Sequence, residues 1–173
     1  MRMRGVVTRH PLAAAALALG SVAAVVFVLL FFEPQALFID DKVDEAVPTA
    51  AAAQPGAGRG EDAPRRLAGG RFRGLAHGAS GAALLIEVGG TRYLRFENLQ
   101  VDNGPDLKVY LSPEPSSAEE GAFDDGIVSL GDLKGNIGDQ NYEIPPDVDL
   151  ERFRSAVVWC ERFGVGFAVA PLG

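Results

Sequence analysis

Residues 12–32, LAAAALALGSVAAVVFVLLFF, carry no charge. At about 1.5 Å of rise per residue, a helix of that length reaches roughly 31 Å, the depth of the hydrocarbon core of a bilayer. A cleaved export signal has a similar basic start and apolar middle. Its apolar stretch, however, usually runs only about 7 to 15 residues and ends at a small-x-small site, whereas this one ends in Phe31, Phe32, Glu33 and Pro34. The expectation is a retained, single-pass transmembrane helix.

Past residue 70 the period changes from helical to two. Residues 83–88 and 91–97 flank Gly89-Gly90, a two-residue hairpin signal. Leu107, Val109 and Leu111 alternate with Lys108, Tyr110 and Ser112, the pattern of a half-buried strand, and Asp102-Asn103-Gly104-Pro105 before them marks a tight turn. Residues 127–130 and 142–144 are short strand candidates, separated by a stretch rich in Gly and Asp. Residues 156–160 form a continuous apolar run that suits a strand buried on both faces. Phe163, Val165, Phe167 and Val169 then alternate with Gly164, Gly166, Ala168 and Ala170, giving one bulky face and one bare face. Helix is scarce. Ser116 or Ser117 with Glu119 or Glu120 resembles a capping box, cut short by Gly121, and residues 147–153 have room for a turn or two. The prediction is all-β: an antiparallel β-sandwich or barrel of about seven or eight short strands, large enough to hold one core without staples.

Between helix and domain the composition shifts. Residues 46–70, AVPTAAAAQPGAGRGEDAPRRLAGG, contain almost no large apolar side chain and cannot offset their ordering entropy by burial. They read as a disordered spacer, with a short helix at residues 50–53. The organisation expected is a cytoplasmic N-terminus at 1–11, a transmembrane helix at 12–32, a flexible acidic and Ala-Pro-Gly linker at 33–69, and a β domain at 70–173.

Charge fixes the orientation. Arg2, Arg4 and Arg9 precede the helix, whereas Glu33, Asp40, Asp41, Asp44 and Glu45 follow it with only Lys42 among them. Basic flanks stay inside, which places the N-terminus in the cytoplasm and the domain outside the cell membrane. From Arg71 onward, nine Lys and Arg face sixteen Asp and Glu, so the domain carries the whole net charge of −7. That balance argues against nucleic acid or anionic lipid as a ligand of the domain.

Cys160 is the only cysteine, so no intramolecular disulfide can form. A blue-copper site needs two His and a Cys, usually with an axial Met. The domain has only His77, and Met1 and Met3 precede the helix, which makes a single-chain blue-copper site improbable. CxxCH, HExxH, GxSxG and a phosphate-binding Gly-Lys loop are all missing from the sequence.

One thiol, one imidazole and one indole remain. Thiolate or imidazole can ligate haem iron, which makes Cys160 and His77 candidate ligands and Trp159 a candidate stacking partner. Strand geometry points Trp159 and Cys160 to opposite faces, against a shared site. The plainer readings are a core hydrophobe for Cys160 and a solvated loop histidine for His77. A nucleophilic Cys160 needs an electropositive setting, and its neighbour is Glu161. Asp102, Asp106, Asp132 and Asp139 lie in loops that could offer oxygen ligands to calcium, although Asp in turns more often bonds its own backbone.

Residues 92–112 (RYLRFENLQVDNGPDLKVYLS), 130–145 (LGDLKGNIGDQNYEIP) and 155–172 (SAVVWCERFGVGFAVAPL) resemble the DM-thirteen domain family, as does the entry GRFRGLAHGASG at 70–81. The resemblance implies a β-rich extracellular domain with an electron-transfer role, centred on a cysteine with which Cys160 aligns. That cysteine acts either as a bare thiol or as a ligand for a group such as haem. It also implies an electron-transfer component rather than a stand-alone catalyst, with an unidentified redox or cell-surface protein as partner. The alternative is a non-catalytic binding module at the cell surface, holding a ligand or protein through its Asn-Gly-Pro-Asp and Gly-Asp-Gln-Asn loops.

Overall fold

The computed structural model of the chain describes residues 11–32, 40–49, 63–123 and 125–173. Helix α1, Pro11–Phe32, contains one span, Leu12–Phe31, long and apolar enough to cross a membrane, with none of it buried against the protein. The same length and composition would also fit an export signal near an N-terminus. The short helix expected at residues 50–53 lies outside the described residues.

Among the described residues ten strands follow: β1 Lys42–Asp44, β2 Arg65–Arg71, β3 Arg73–Gly74, β4 Ala79–Val88, β5 Thr91–Val101, β6 Leu107–Ser112, β7 Val128–Asp132, β8 Ile137–Ile144, β9 Ser155–Cys160 and β10 Val165–Pro171. They form two five-stranded sheets, ordered β1-β8-β5-β4-β2 and β3-β10-β9-β6-β7. The sheets enclose one core in which Leu94, Phe96, Val109, Leu111, Ala156 and Val158 are all fully buried. The fold is a β-sandwich, antiparallel throughout except where β1 runs parallel to β8. As the Gly-Gly signal predicts, β4 and β5 form a hairpin; Gly89 and Gly90 have φ of 55° and 81°, the left-handed pair that a tight type I′ connection requires.

A smaller apolar cluster sits on the outer face of the second sheet. Phe123, from the segment joining β6 to β7, packs with Tyr110, Val157, Trp159 and Val169, and Leu75, Ala118 and Ile127 close over it. Strand β6 is therefore not half-buried as its alternation suggests: Tyr110 and Ser112 are 2% and 0% exposed. The alternation in β10 also fails part-way. The register slips between Gly166 and Ala168, so Phe167 joins the inner core while Val169 turns to the outer cluster. This is the re-aiming that a β-bulge produces.

Two segments of the expected linker are strands. In β2, the small residues that read as disorder serve close approach: a Cβ on Gly69 would overlap the carbonyl oxygen of Ala83, and one on Gly70 the ring of Pro171. Strand β1 is held by polar bonds, which a test for buried apolar surface does not register. The helical turns reduce to Glu120–Ala122, with no side-chain cap, and Leu150–Arg152, where Asp149 accepts from the Glu151 N–H.

Residues 40–46 dock along the free edge of β8. Beyond the ladder, the Glu45 N–H donates to the Asp139 carbonyl at 2.9 Å and the Ile137 N–H to that of Asp41 at 3.2 Å. The Glu45 carboxylate pairs with Lys134 Nζ at 2.7 Å and accepts from the Asn141 N–H at 2.7 Å. Burial raises the pKa of this carboxyl, but the bonds from Lys134 and Asn141 more than offset it, so the pKa falls below the ordinary 4.5.

A carboxyl depressed in the folded state stabilises it fully above the ordinary value, and that contribution is lost as pH falls through the lower folded value. Titration from pH 6 into the acid range should therefore loosen residues 42–45, read as a lower protection factor, relative to the intrinsic exchange rate at each pH, for the Glu45 amide that donates to Asp139. In Glu45→Gln this acid-dependent step should be missing.

Candidate functional site

The candidate residues sit at one end of the sandwich, where β8 and β6 begin and β9 ends. Cys160 is the last residue of β9, paired with Leu107 on one side and Val165 on the other. Its side chain points into the inter-sheet core and is 0% exposed. Its carbonyl accepts the Gly164 N–H at 2.9 Å, and the Glu161 N–H donates to Asp106 at 3.0 Å, closing a turn at residues 161–164. Trp159 belongs to the outer cluster. The two side chains thus lie on opposite faces of one sheet, as strand alternation requires.

His77 lies in the turn between β3 and β4. Its ring stacks on Phe167 with centroids 4.0 Å apart, an arrangement set by the β10 bulge. The freed backbone there accepts from the turn, since Leu75 N–H donates to Phe167 O and Ala76 N–H to Gly166 O. His77 Nδ1 lies 3.2 Å from Asp102 Oδ2. Because an ionised carboxylate only accepts, Nδ1 carries the proton, which leaves Nε2 as the available ring nitrogen.

A groove of about 540 Å³ opens beside this pair, lined by Asp40, His77, Ser80, Asp102, Asn103 and Asn136 among others. Neither Cys160 nor Trp159 lines it. The three candidates for haem therefore occupy three separate environments: closed core, outer apolar cluster and polar groove. They do not fit one haem, and no step through such a group follows.

Each of these four candidate aspartates has a side-chain partner. Asp106 and Asp132 both pair with Lys108, at 2.9 and 2.5 Å. Asp139 pairs with Arg95 at 2.5 Å, and Asp102 with His77. No group of three or more potential metal-ligating His, Cys, Asp or Glu side chains occurs among the described residues. The Gly-Asp-Gln-Asn stretch, expected as a loop, is the middle of β8, and its Gly138 and Asp139 are engaged by β1.

Sequence reasoning missed two residues that organise this end. Arg95, on β5, is 3% exposed and donates to Asp139, Glu97, Asn141 and the Glu45 carbonyl. Asn136, also 3% exposed, accepts from the Asp41 N–H and donates to Asp40 and to the Val101 carbonyl. The available signal was Gly135-Asn136 with Gly138 in the same short stretch: a small, polar run where a backbone must come close.

No curated protein and no solved structure matches the chain. A family model described as electron transfer DM13 matches residues 71–172, which is most of the sandwich from the end of β2 to β10. The chain belongs to the electron transfer DM13 family.

Proposed function

We propose that the chain is a single-pass membrane protein whose extracytoplasmic sandwich carries out redox work through Cys160, as a thiol. The observation that supports this reading most directly is the position of the sole cysteine within a domain of the electron-transfer family. Cys160 closes β9 immediately before a surface turn, so the sulfur is one residue from solvent along the chain even though its side chain is enclosed. Opening of residues 161–164 would expose it without disrupting the middle of either sheet, and local openings of that kind cost less than global unfolding. The exposed thiol gives its proton to solvent, the thiolate sulfur takes one oxygen from peroxide, and the displaced hydroxide takes up a proton, giving sulfenic acid and water. The basic flank before α1 and acidic flank after it support the outward orientation.

The test is native-state oxidation of the full chain, with the modified site identified by mass spectrometry. Oxidation or mixed-disulfide formation at Cys160, while Trp159 keeps its folded fluorescence, is the expected result. Modification only in denaturant would leave Cys160 as core packing and overturn the thiol reading. The groove beside His77 and Asn103 favours a second reading, a surface module that binds a small polar ligand there. In that case His77→Ala should abolish binding, and Cys160→Ala should not change it.

A further inference from the structure

The edge of β8 is shaped for the segment that follows the helix. A Cβ on Gly135 would overlap the carbonyl oxygen of Asp41, and one on Gly138 the carbonyl oxygen of Val43. Asn136 commits both ends of a buried amide there, Oδ1 accepting from Asp41 N–H at 2.8 Å and Nδ2 donating to Asp40 Oδ1 at 2.9 Å. Three independent positions are thus fitted to residues 40–43, which is more than an incidental edge contact requires.

The segment enters at a defined end. Lys42 is opposite Ile137, the first residue of β8, and Asp40 lines the groove that holds His77. Only residues 33–39 lie between Phe32 and Asp40, and eight chain steps at full extension span at most about 29 Å. The opposite end of the sandwich, at Pro145 and Pro146, is a further eight-residue strand away, about 27 Å at the usual rise.

We infer that residues 40–46 form a strap that holds the His77 end of the sandwich against the membrane, so that the surface facing this end is the phospholipid headgroup layer. The inference rests on the reading of α1 as a membrane anchor. It replaces a domain on a long flexible linker with one whose groove end is kept close to the bilayer. Charge does not supply the attraction, because Asp40, Asp41 and Asp102 would be repelled by anionic lipid; the covalent link and the docked strand supply it.

The full chain is reconstituted in phosphatidylcholine nanodiscs containing a lipid with a nitroxide on its headgroup. In a Cys160→Ala background, so that the native thiol takes no label, a fluorophore is attached at Glu161→Cys, near the groove end, or at Asp147→Cys, at the opposite end. The label at 161 should be quenched several-fold more than the label at 147. In a Gly135→Ala background, which displaces Asp41, that difference should collapse. Equal quenching, or stronger quenching at 147, in disc-bound chain would overturn the strap proposal. A chain that does not elute with the discs would overturn the anchor reading instead, and the strap proposal with it.

Discussion

Trp159→Ala should lower the unfolding free energy of the domain by about 3 to 5 kcal/mol, the range for truncating a large aromatic in a packed site. The indole is only 5% exposed and lies among Tyr110, Phe123, Val157 and Val169. Its removal opens a cavity beneath the segment joining β6 to β7, whose Phe123 packs in the same cluster. Cys160→Ala removes a single sulfur from the other face and should cost far less, so the two adjacent positions should differ sharply. Urea unfolding followed by far-ultraviolet circular dichroism reads both, because the only tryptophan is lost in one variant. Equal costs for the two substitutions would mean that the outer cluster does not hold the sheet, and that Trp159 is kept for something other than packing.

Asp139→Ala should be comparably severe, at about 3 to 5 kcal/mol, for an electrostatic reason. The Arg95 guanidinium is almost wholly enclosed, with a side-chain exposure of 4%, and its 2.5 Å partner is Asp139. Taking away one member of a buried pair strands the other charge without water. Glu97, at 3.0 Å, remains but is itself 37% exposed and compensates only in part. Asp139 Oδ1 also accepts the Asn98 N–H at 2.7 Å, and Asn98 has a φ of 49°, a conformation that non-glycine residues hold only when supported. The double variant Arg95→Met, Asp139→Ala should recover part of the loss, since no charge is then stranded. A single Asp139→Ala variant that melts like the parent would show that water reaches Arg95.

The elements that were legible from sequence are those whose side chains report their surroundings alone. Strand β9 reads as buried on both faces because every residue from Ala156 to Cys160 is apolar, and the β4–β5 hairpin reads from Gly89-Gly90. Strands β1 and β2 did not, because their partners are set by tertiary fit. Nothing local in Lys42-Val43-Asp44 announces a strand; the information lies in Gly135, Asn136 and Gly138, more than ninety residues later in the chain. The bulge at Phe167 was hidden for a related reason. An alternating sequence fixes which residues are bulky, but a one-residue slip in pairing decides the face each one takes.

At the candidate site, the opposition of Trp159 and Cys160 was predictable from strand geometry. The stacking of His77 on Phe167 was not, since it depends on that slip. Nothing local marks Arg95 as buried, because part of what encloses it is the docked segment, whose Glu45 carbonyl it donates to.

The docked strand also changes what a cut in the chain would do. Residues 50–62 connect β1, at one edge of the first sheet, to β2 at the other edge, so hydrolysis within them would separate the N-terminal peptide from the remainder covalently while leaving the β1–β8 pairing to join them. With a specific protease site inserted after Ala53, the two fragments should behave as a split protein, held together by the pairing of Lys42, Val43 and Asp44 with β8 and by the Glu45 carboxylate. If α1 anchors the chain as proposed, the larger fragment would stay on the membrane after cleavage and leave it in acid, when Glu45 is protonated. Shedding of the domain would then be a two-step event, with proteolysis permitting release and dissociation of one three-residue strand setting its rate.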